Sequence, residues 1–178
     1  MKFMRFLFVQ LALALFQIDL AVKQEIEQLP EQEEEHLIPG GVVGIKRLHN
    51  HGMAGGKAVG HMGSIIKVSG IITLGCIGAF ARSLIKPAGN VERTGWAILT
   101  GGALSNLYER CRKGYVVDYI RFHSPWKWLN HLVFNLADFF IFIGSVLIVL
   151  GKKSKNYFKG RELSSLPLLM QSGWHSSA

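Results

Sequence analysis

The chain has 178 residues, of which 49% are hydrophobic, and a formal net charge of +8. Its mean hydropathy is +0.24, and its apolar residues occur in long blocks rather than at the regular spacing of a soluble amphipathic domain. Many basic residues flank these blocks, as they do beside anionic lipid, which argues against nucleic-acid binding. Cys76 and Cys111 form no CxxC pair and give no disulfide framework.

The first apolar block, residues 6–22, predicts a membrane-spanning helix. An alternative is a cleaved secretory signal peptide with its cleavage site at residues 12–14. The apolar run continues past that site, which favours an uncleaved span. Asp19 interrupts the block four residues before Lys23, so the two side chains share one helical face and can pair.

The next segment, residues 24–57, is polar and is expected to lie outside the cytoplasm. Val42, Val43 and Ile45 follow a pair of glycines and predict a short strand. The Gly-rich stretch after it lacks the ending of a phosphate-binding loop. His49 and His51 alternate there without further ligands at metal spacing, so no metal site is predicted.

Three further apolar blocks predict three more spans, at about residues 63–80, 94–108 and 133–150. Glycine, alanine and serine crowd the second of these blocks and would let helix backbones approach closely. Residues 1–151 are expected to form one membrane domain. Residues 152–178 are expected to form a basic, then Ser-rich cytoplasmic tail without fixed structure.

Four spans place both termini on one side of the membrane. The basic residues of the N terminus, of the link after the second span and of the tail all fall on that side, which makes it cytoplasmic by the positive-inside rule. Segments 24–57 and 109–131 then lie outside, although the latter is also basic. The predicted fold class is an all-α membrane protein with four transmembrane helices, both ends inside, and a small extracytoplasmic subdomain containing β-structure.

Asp138 lies early in the fourth apolar block. An ionisable residue at membrane depth is costly, so it is a functional candidate by default. Asn135 lies three residues before it on the same helical face and offers a hydrogen-bonding partner. A purely structural polar contact between helices is the alternative.

Asp118 follows a short extended run and, taken alone, would be interpreted as an exposed aspartate. Two carboxyls in one partly dry site can hold one proton between them and perform acid–base chemistry. One would take a proton from water as it attacks an amide, and the other would donate to the carbonyl oxygen. Asn106 and Arg110 lie one turn apart on the third span and predict a polar network nearby.

Five short elements follow one another along the chain: Asp-x-x-x-Lys at 19–23, Asn-x-Gly-x-Ala at 50–54, Gly-Gly-Ala-Leu-x-Asn-x-x-x-Arg at 101–110, Val-Val-Asp-Tyr at 116–119 and Phe-Asn-x-Ala-Asp at 134–138. In this order they resemble the signal peptidase II family of membrane aspartic peptidases. The resemblance implies that Asp118 and Asp138 are catalytic and that neither a metal nor a cofactor takes part.

The resemblance also implies supporting or substrate-binding roles for a further set: Asn106, Arg110, Asn135, Asp19, Lys23, Asn50, Gly52 and Glu109. The chain departs from the family pattern in the second element, which reads His-Gly-Met-Ala-Gly after Asn50 instead of ending in an aromatic residue, and at four further positions. Glu109 stands in place of Asp, Ser105 in place of Gly, Leu20 in place of Gln and Tyr119 in place of Phe.

The function implied is cleavage of lipid-modified prolipoproteins just before the lipidated cysteine, at the outer face of the bacterial cytoplasmic membrane. The expected partners are these substrates and membrane lipids, and the chain is expected to act as a monomer. Two alternatives stay open. One is a catalytically silent paralogue that binds lipidated proteins, and the other is a small four-helix transporter using Asp138 and Lys67.

Overall fold

The computed structural model describes residues 2–29, 35–52, 62–126 and 128–164. These residues form four long helices and a small antiparallel sheet, so the expected mostly helical fold with a small β-subdomain is confirmed. The helices are α1 Lys2–Gln28, α2 Met62–Ile85, α3 Asn90–Lys113 and α4 Leu136–Ser164. The strands are β1 His36–Leu37, β2 Val43–Asn50, β3 Val116–Phe122 and β4 Val133–Phe134, with a 3-10 turn at Leu129–His131.

Two of the helices are long and apolar enough to cross a bilayer, over Phe3–Gln28 and Gly63–Ile85. Only 22% and 17% of their most apolar segments are buried inside the protein. A core helix of a soluble protein would be mostly buried, so these helices present their apolar surface outward. α3 is more polar because it carries several of the charged residues described below, whereas α4 combines an apolar stretch with Asp138 near its start and lysines further along.

α3 lies among the other helices and contacts all three of them. A Cβ atom added at Gly101 would lie 2.7 Å from the carbonyl oxygen of Ala12 in α1. One added at Gly102 would lie 2.6 Å from the carbonyl oxygen of Ala137 in α4. The small residues of α3 therefore allow close backbone contact on two sides, as the sequence predicts.

α4 begins later than the apolar block suggests. Val133 and Phe134 pair with Arg121 and Ile120 of β3 instead of entering the helix. Asn135 then caps α4, since β-branched and aromatic residues suit a strand and Asn suits a helix start. The helix continues to Ser164 through the first part of the predicted tail. Residues 165–178 lie outside the described residues.

The sheet has the order β1-β2-β3-β4 and joins the ends of α3 and α4. α3 ends at Gly114, whose φ of +79° and hydrogen bond to the carbonyl of Arg110 (3.1 Å) form a left-handed C-cap. β3 follows at once, and β4 leads directly into α4. The predicted strand near residues 43–45 is confirmed and continues to Asn50.

Candidate active site

Asp118 lies in β3 and is 3% exposed. Its two oxygens accept hydrogen bonds from Nδ2 of Asn135 (2.6 Å) and Nδ2 of Asn50 (2.8 Å). The strand register explains the second bond: Leu48 pairs directly with Asp118, so Asn50 lies diagonally opposite on the same face. Oδ1 of Asn50 accepts the Gly52 backbone N–H (3.0 Å), which leaves its amide nitrogen for Asp118.

Asp138 is the third residue of α4, and Asn135 caps that helix. The Asp138 N–H donates to Oδ1 of Asn135 (3.1 Å), and the Asn135 N–H donates to Oδ2 of Asp138 (3.1 Å). This reciprocal pair is a capping box with aspartate at its third position. Oδ1 of Asp138 also accepts Nδ2 of Asn106 (3.1 Å). The carboxylate therefore lies at the positive end of the helix dipole with donors on both oxygens.

Asn135 brings the two carboxyls together, because its side chain donates to Asp118 and its backbone donates to Asp138. Both face one cavity of about 240 Å³ between the sheet and the ends of α3 and α4. The cavity is lined by Asn50, Asn106, Arg110, Val116, Asp118, Leu132, Val133, Phe134, Asn135 and Asp138. Two aspartates predicted separately from the sequence thus open onto the same space.

Burial raises the pKa of Asp118 to about 6. This pKa of about 6 already includes an upward contribution from the negative charge of Asp138 and downward contributions from the amides of Asn50 and Asn135 and the charge of Lys23. A carboxyl in this range exchanges its proton close to neutral pH, as acid–base catalysis requires. Because the two carboxyls interact, their protons belong to the pair rather than to either residue.

Behind Asp138 lies a buried charge cluster centred on Lys23, whose side chain is 0% exposed. Its Nζ lies 2.7 Å from Asp19, 3.3 Å from Glu109 and 2.7 Å from Oδ1 of Asn106. The ion pair with Asp19 is the one that their spacing predicts. Since Lys23 takes the Asn106 oxygen, the amide nitrogen of Asn106 is directed at Asp138.

Asp19 joins three helices. Besides its ion pair, it accepts the hydroxyl of Ser105 in α3 (2.5 Å) and the backbone N–H of Ala137 in α4 (2.9 Å). Ala137 lies in the first turn of α4, where backbone N–H groups have no partner within the helix. Asp19 therefore fixes the start of α4, and with it the position of Asp138.

Glu109 connects α3 to the sheet. Its Oε2 accepts the backbone N–H of Val117 (3.0 Å), the residue before Asp118, and its Oε1 accepts Nζ of Lys113 (2.8 Å). Of the remaining predicted residues, Arg110 lines the cavity and Gly52 orients Asn50. Ala54 lies outside the described residues.

Sequence reasoning missed the apolar wall of the cavity, formed by Val116, Leu132, Val133 and Phe134. The sequence places Val133 and Phe134 in the predicted fourth span and Leu132 just before it. The β-branched and aromatic residues of this run, placed just before an Asn-x-x-Asp cap, carried a strand signal that could have separated it from the helix.

The family model described as Signal peptidase (SPase) II matches residues 11–152. The chain belongs to the signal peptidase II family. A protein of Mesorhizobium japonicum named lipoprotein signal peptidase is 38% identical over 144 residues, which cover 78% of this chain and 80% of that protein. One of Brucella ovis with the same name is 40% identical over 148 residues, covering 77% and 87%.

Two solved structures, both described as bacterial membrane enzymes, share the fold at 24% identity. Their TM-scores are 0.71 and 0.65, and they cover 84% and 80% of this chain and 88% and 90% of their own.

Within this signal peptidase II fold, two departures from the family pattern have contacts that explain them. The hydroxyl of Ser105 binds Asp19, and Glu109 reaches from α3 to the backbone of β3.

Proposed function

We propose that this signal peptidase II family member is a membrane aspartic endopeptidase that removes signal peptides from lipid-modified prolipoproteins, with Asp118 and Asp138 as its catalytic pair. The membership and the relatives named lipoprotein signal peptidase support the substrate class. The observation that carries the residue assignment is the convergence of both carboxyls, through Asn135, on one cavity.

The geometry suggests different roles for the two carboxyls. Asp138 lies at a helix N-terminus and one side chain away from the Lys23 ammonium, which favours its ionised form. Asp118 is buried in the sheet, and its raised pKa favours the protonated form. Substrate filling the cavity would exclude water and favour that form further.

In the proposed reaction, Asp138 takes a proton from a water molecule as the water attacks the scissile carbonyl carbon. Asp118 donates its proton to the carbonyl oxygen, where negative charge develops. Collapse of the tetrahedral intermediate breaks the C–N bond: Asp138 gives the proton that it took from water to the leaving amine, and Asp118 takes a proton back from a hydroxyl of the intermediate as the carboxyl product forms. Asn106, Asn135 and Asn50 hold the carboxyls in place, and Arg110 supplies positive charge to the cavity.

We further propose that all four helices cross the bacterial cytoplasmic membrane, with both termini inside and the sheet outside. Residues 1–151 would form the peptidase domain, which would act as a monomer. The outward apolar surface of α1 and α2 supports this placement. The close packing of α3 between α1 and α4 supports it too, because a helix held that tightly shares the orientation of its neighbours.

The test is Asp118→Asn and Asp138→Asn, each of which keeps the shape of the side chain and removes its ability to ionise. Each variant should insert at normal levels and leave a diacylglyceryl-modified prolipoprotein uncleaved in detergent. The double variant should be no more impaired than either single one, since residues that act as a unit are non-additive.

Glu25→Gln is the matched control, because Glu25 is an exposed carboxylate of α1 away from the cavity. It should cleave at the normal rate. Full activity of Asp118→Asn beside an inactive Asp138→Asn would show that the pair is not the catalytic unit.

A further inference from the structure

Two connections meet at one end of the sheet. In the antiparallel order β1-β2-β3-β4, the β1–β2 turn and the β3–β4 connection lie at the same end. The backbone N–H of His123 donates to the carbonyl of Val42 (2.8 Å) and ties the two together. We call this region the sheet tip. It comprises residues 37–42 and the described residues of the 123–132 connection.

The sheet tip is apolar to an unusual degree for a solvent-exposed loop region. Trp126 and Trp128 are 66% and 64% exposed. The other large exposed hydrophobic side chains of the tip are Leu37, Ile38 and Val42. Contiguous apolar patches of this kind on a protein surface mark a contact with a partner or a membrane.

The charged groups that flank the tip among the described residues include a paired carboxylate. Glu35 lies 3.5 Å from Nη1 of Arg121 and 3.1 Å from Nε2 of His123. Among the described residues of this region, the outermost surface is therefore formed by aromatic and aliphatic side chains rather than by charge.

The position of the tip relative to the helices indicates what it contacts. β3 has already reached the start of α4 at Ile120, which pairs with Phe134. The Phe122 ring then contacts Phe134 (5.9 Å) and Phe139 in the first turn of α4 (6.2 Å). The end of β3 therefore lies beside the first turn of α4, and the tip begins at that level.

Next to Phe139, α4 presents an outward apolar face that includes Phe142 (69% exposed), Ile143 and Val149. In the proposed membrane placement this face contacts acyl chains. The contact between Phe122 and Phe139 joins the base of the tip to the same helix, near the depth where the bilayer meets water. Tryptophan is enriched at that depth because its ring is apolar and its N–H can bond to the headgroup region.

We propose that the sheet tip is an interfacial anchor that inserts into the headgroup region of the outer lipid leaflet. This inference rests on the proposed membrane placement. Anchored at both ends, by α3 and α4 on one side and by lipid on the other, the sheet keeps Asp118 at a fixed height above the bilayer. The cavity would then meet a substrate cleavage site at the membrane surface.

The experiment uses full-length single-tryptophan proteins in liposomes, retaining Trp126 or Trp128 and replacing the other tryptophans, including Trp96 and Trp174, with Phe. Phospholipids brominated high on their acyl chains should remove most of the fluorescence of each protein. Phospholipids brominated at the chain ends should remove little of it, and aqueous iodide should be a weak quencher. A protein retaining only Trp96, which lies on α3 beside Lys152, is the control for a tryptophan elsewhere in the bundle.

Strong quenching by iodide with none by brominated lipid would overturn the proposal, because the tip would then be in water. Protection from both quenchers would also overturn it, since a protein surface such as a second copy would then cover the tip. Asp118→Asn, introduced into each single-tryptophan protein, should leave the quenching of its fluorescence unchanged. If the protein cleaves its substrate but iodide quenches Trp126 and Trp128, only the anchor proposal is wrong. If brominated lipid quenches these tryptophans but the protein does not cleave, only the peptidase assignment is wrong.

Discussion

At the scale of single residues, Asn135 has three tasks that depend on one another. Its side-chain oxygen caps α4, its side-chain nitrogen binds Asp118, and its backbone N–H binds Asp138. An amide can do this because it carries both an acceptor and donors, whereas aspartate, another common cap, has no donor when ionised and would add a third carboxyl to the site. The site therefore depends on the junction between β4 and α4 as much as on the aspartates.

Asn50 offers a test of the role of Asp118 through the pH dependence of cleavage. Its amide donates to the Asp118 carboxylate and lowers the pKa of that group, so Asn50→Ala should raise the pKa above its present value of about 6. A hydrogen bond to a charged group contributes about 1.5–3 kcal/mol. If Asp118 acts as the acid, the alkaline limb of kcat/KM should move up by roughly one pH unit.

Asn130→Ala is the control for this measurement, because Asn130 bonds to Ser124 in the β3–β4 connection rather than to a cavity residue. Its pH profile should match that of the unmodified protein. An acidic limb that moves to higher pH in Asn50→Ala, beside an unchanged alkaline limb, would mean that Asp118 acts in its ionised form.

At the scale of the elements, the contact between α3 and α4 sets the position of Asp138. Gly102→Ala would place a Cβ 2.6 Å from the Ala137 carbonyl oxygen, so the helices must separate next to the Asp138 carboxyl. Overpacking of this kind costs about 1–3 kcal/mol. We expect a lower melting temperature in detergent together with a reduced kcat.

Gly75→Ala in α2 is the matched control, because a Cβ added there has no neighbouring atom within 4 Å. It should melt at the same temperature or slightly higher, since alanine favours a helix by about 0.5–1 kcal/mol over glycine. Equal melting temperatures and rates for both variants would show that the α3–α4 contact can relax without moving the site.

The buried cluster around Lys23 links α1 to the same pair of helices. Lys23→Met would leave Asp19 buried without its counter-charge, and breaking a buried pair in this way costs about 3–5 kcal/mol. Adding Asp19→Asn to the same protein should recover part of the melting temperature, because the uncompensated charge is then removed. Glu109 keeps Lys113 and the Val117 N–H as partners in both variants. A double variant that melts at or below the single one would contradict this account.

The sequence predicted the parts of this architecture that depend on local pattern. The Asp19–Lys23 pair follows from helical spacing, the β2 strand from flanking glycines, and the close packing of α3 from its small residues. The sequence could not predict that Lys23 binds Asn106, or that Asp19 accepts the Ala137 N–H at the start of α4, because these contacts join segments far apart in the chain. The start of α4 was misplaced because Val133 and Phe134 are as apolar as a span.

At the scale of the whole molecule, the polar network lies at one end of the helix bundle, and the apolar parts of the helices extend away from it. The carboxyls, their amides and the sheet gather where α1, α3 and α4 meet the strands. Lys152 lies over the Trp96 ring near the start of α3, at the opposite end (5.8 Å). A bilayer placed across the helices would leave both sets of charges near water, which is the arrangement that ionisable residues require.

The charged groups at the two ends of the bundle lead to a prediction of the topology, which reporter fusions that distinguish the two sides of the membrane can test. Fusions at Gln28 and Trp126 should report the outside, because both positions lie at the sheet end of the helices. Fusions at Ala88 and Lys155 should report the cytoplasm, since basic residues flank both positions. Inversion of all four signals would keep the spans and reverse the orientation. If Trp126 and Lys155 report the same side, α4 does not cross the membrane, and the four-span arrangement is wrong.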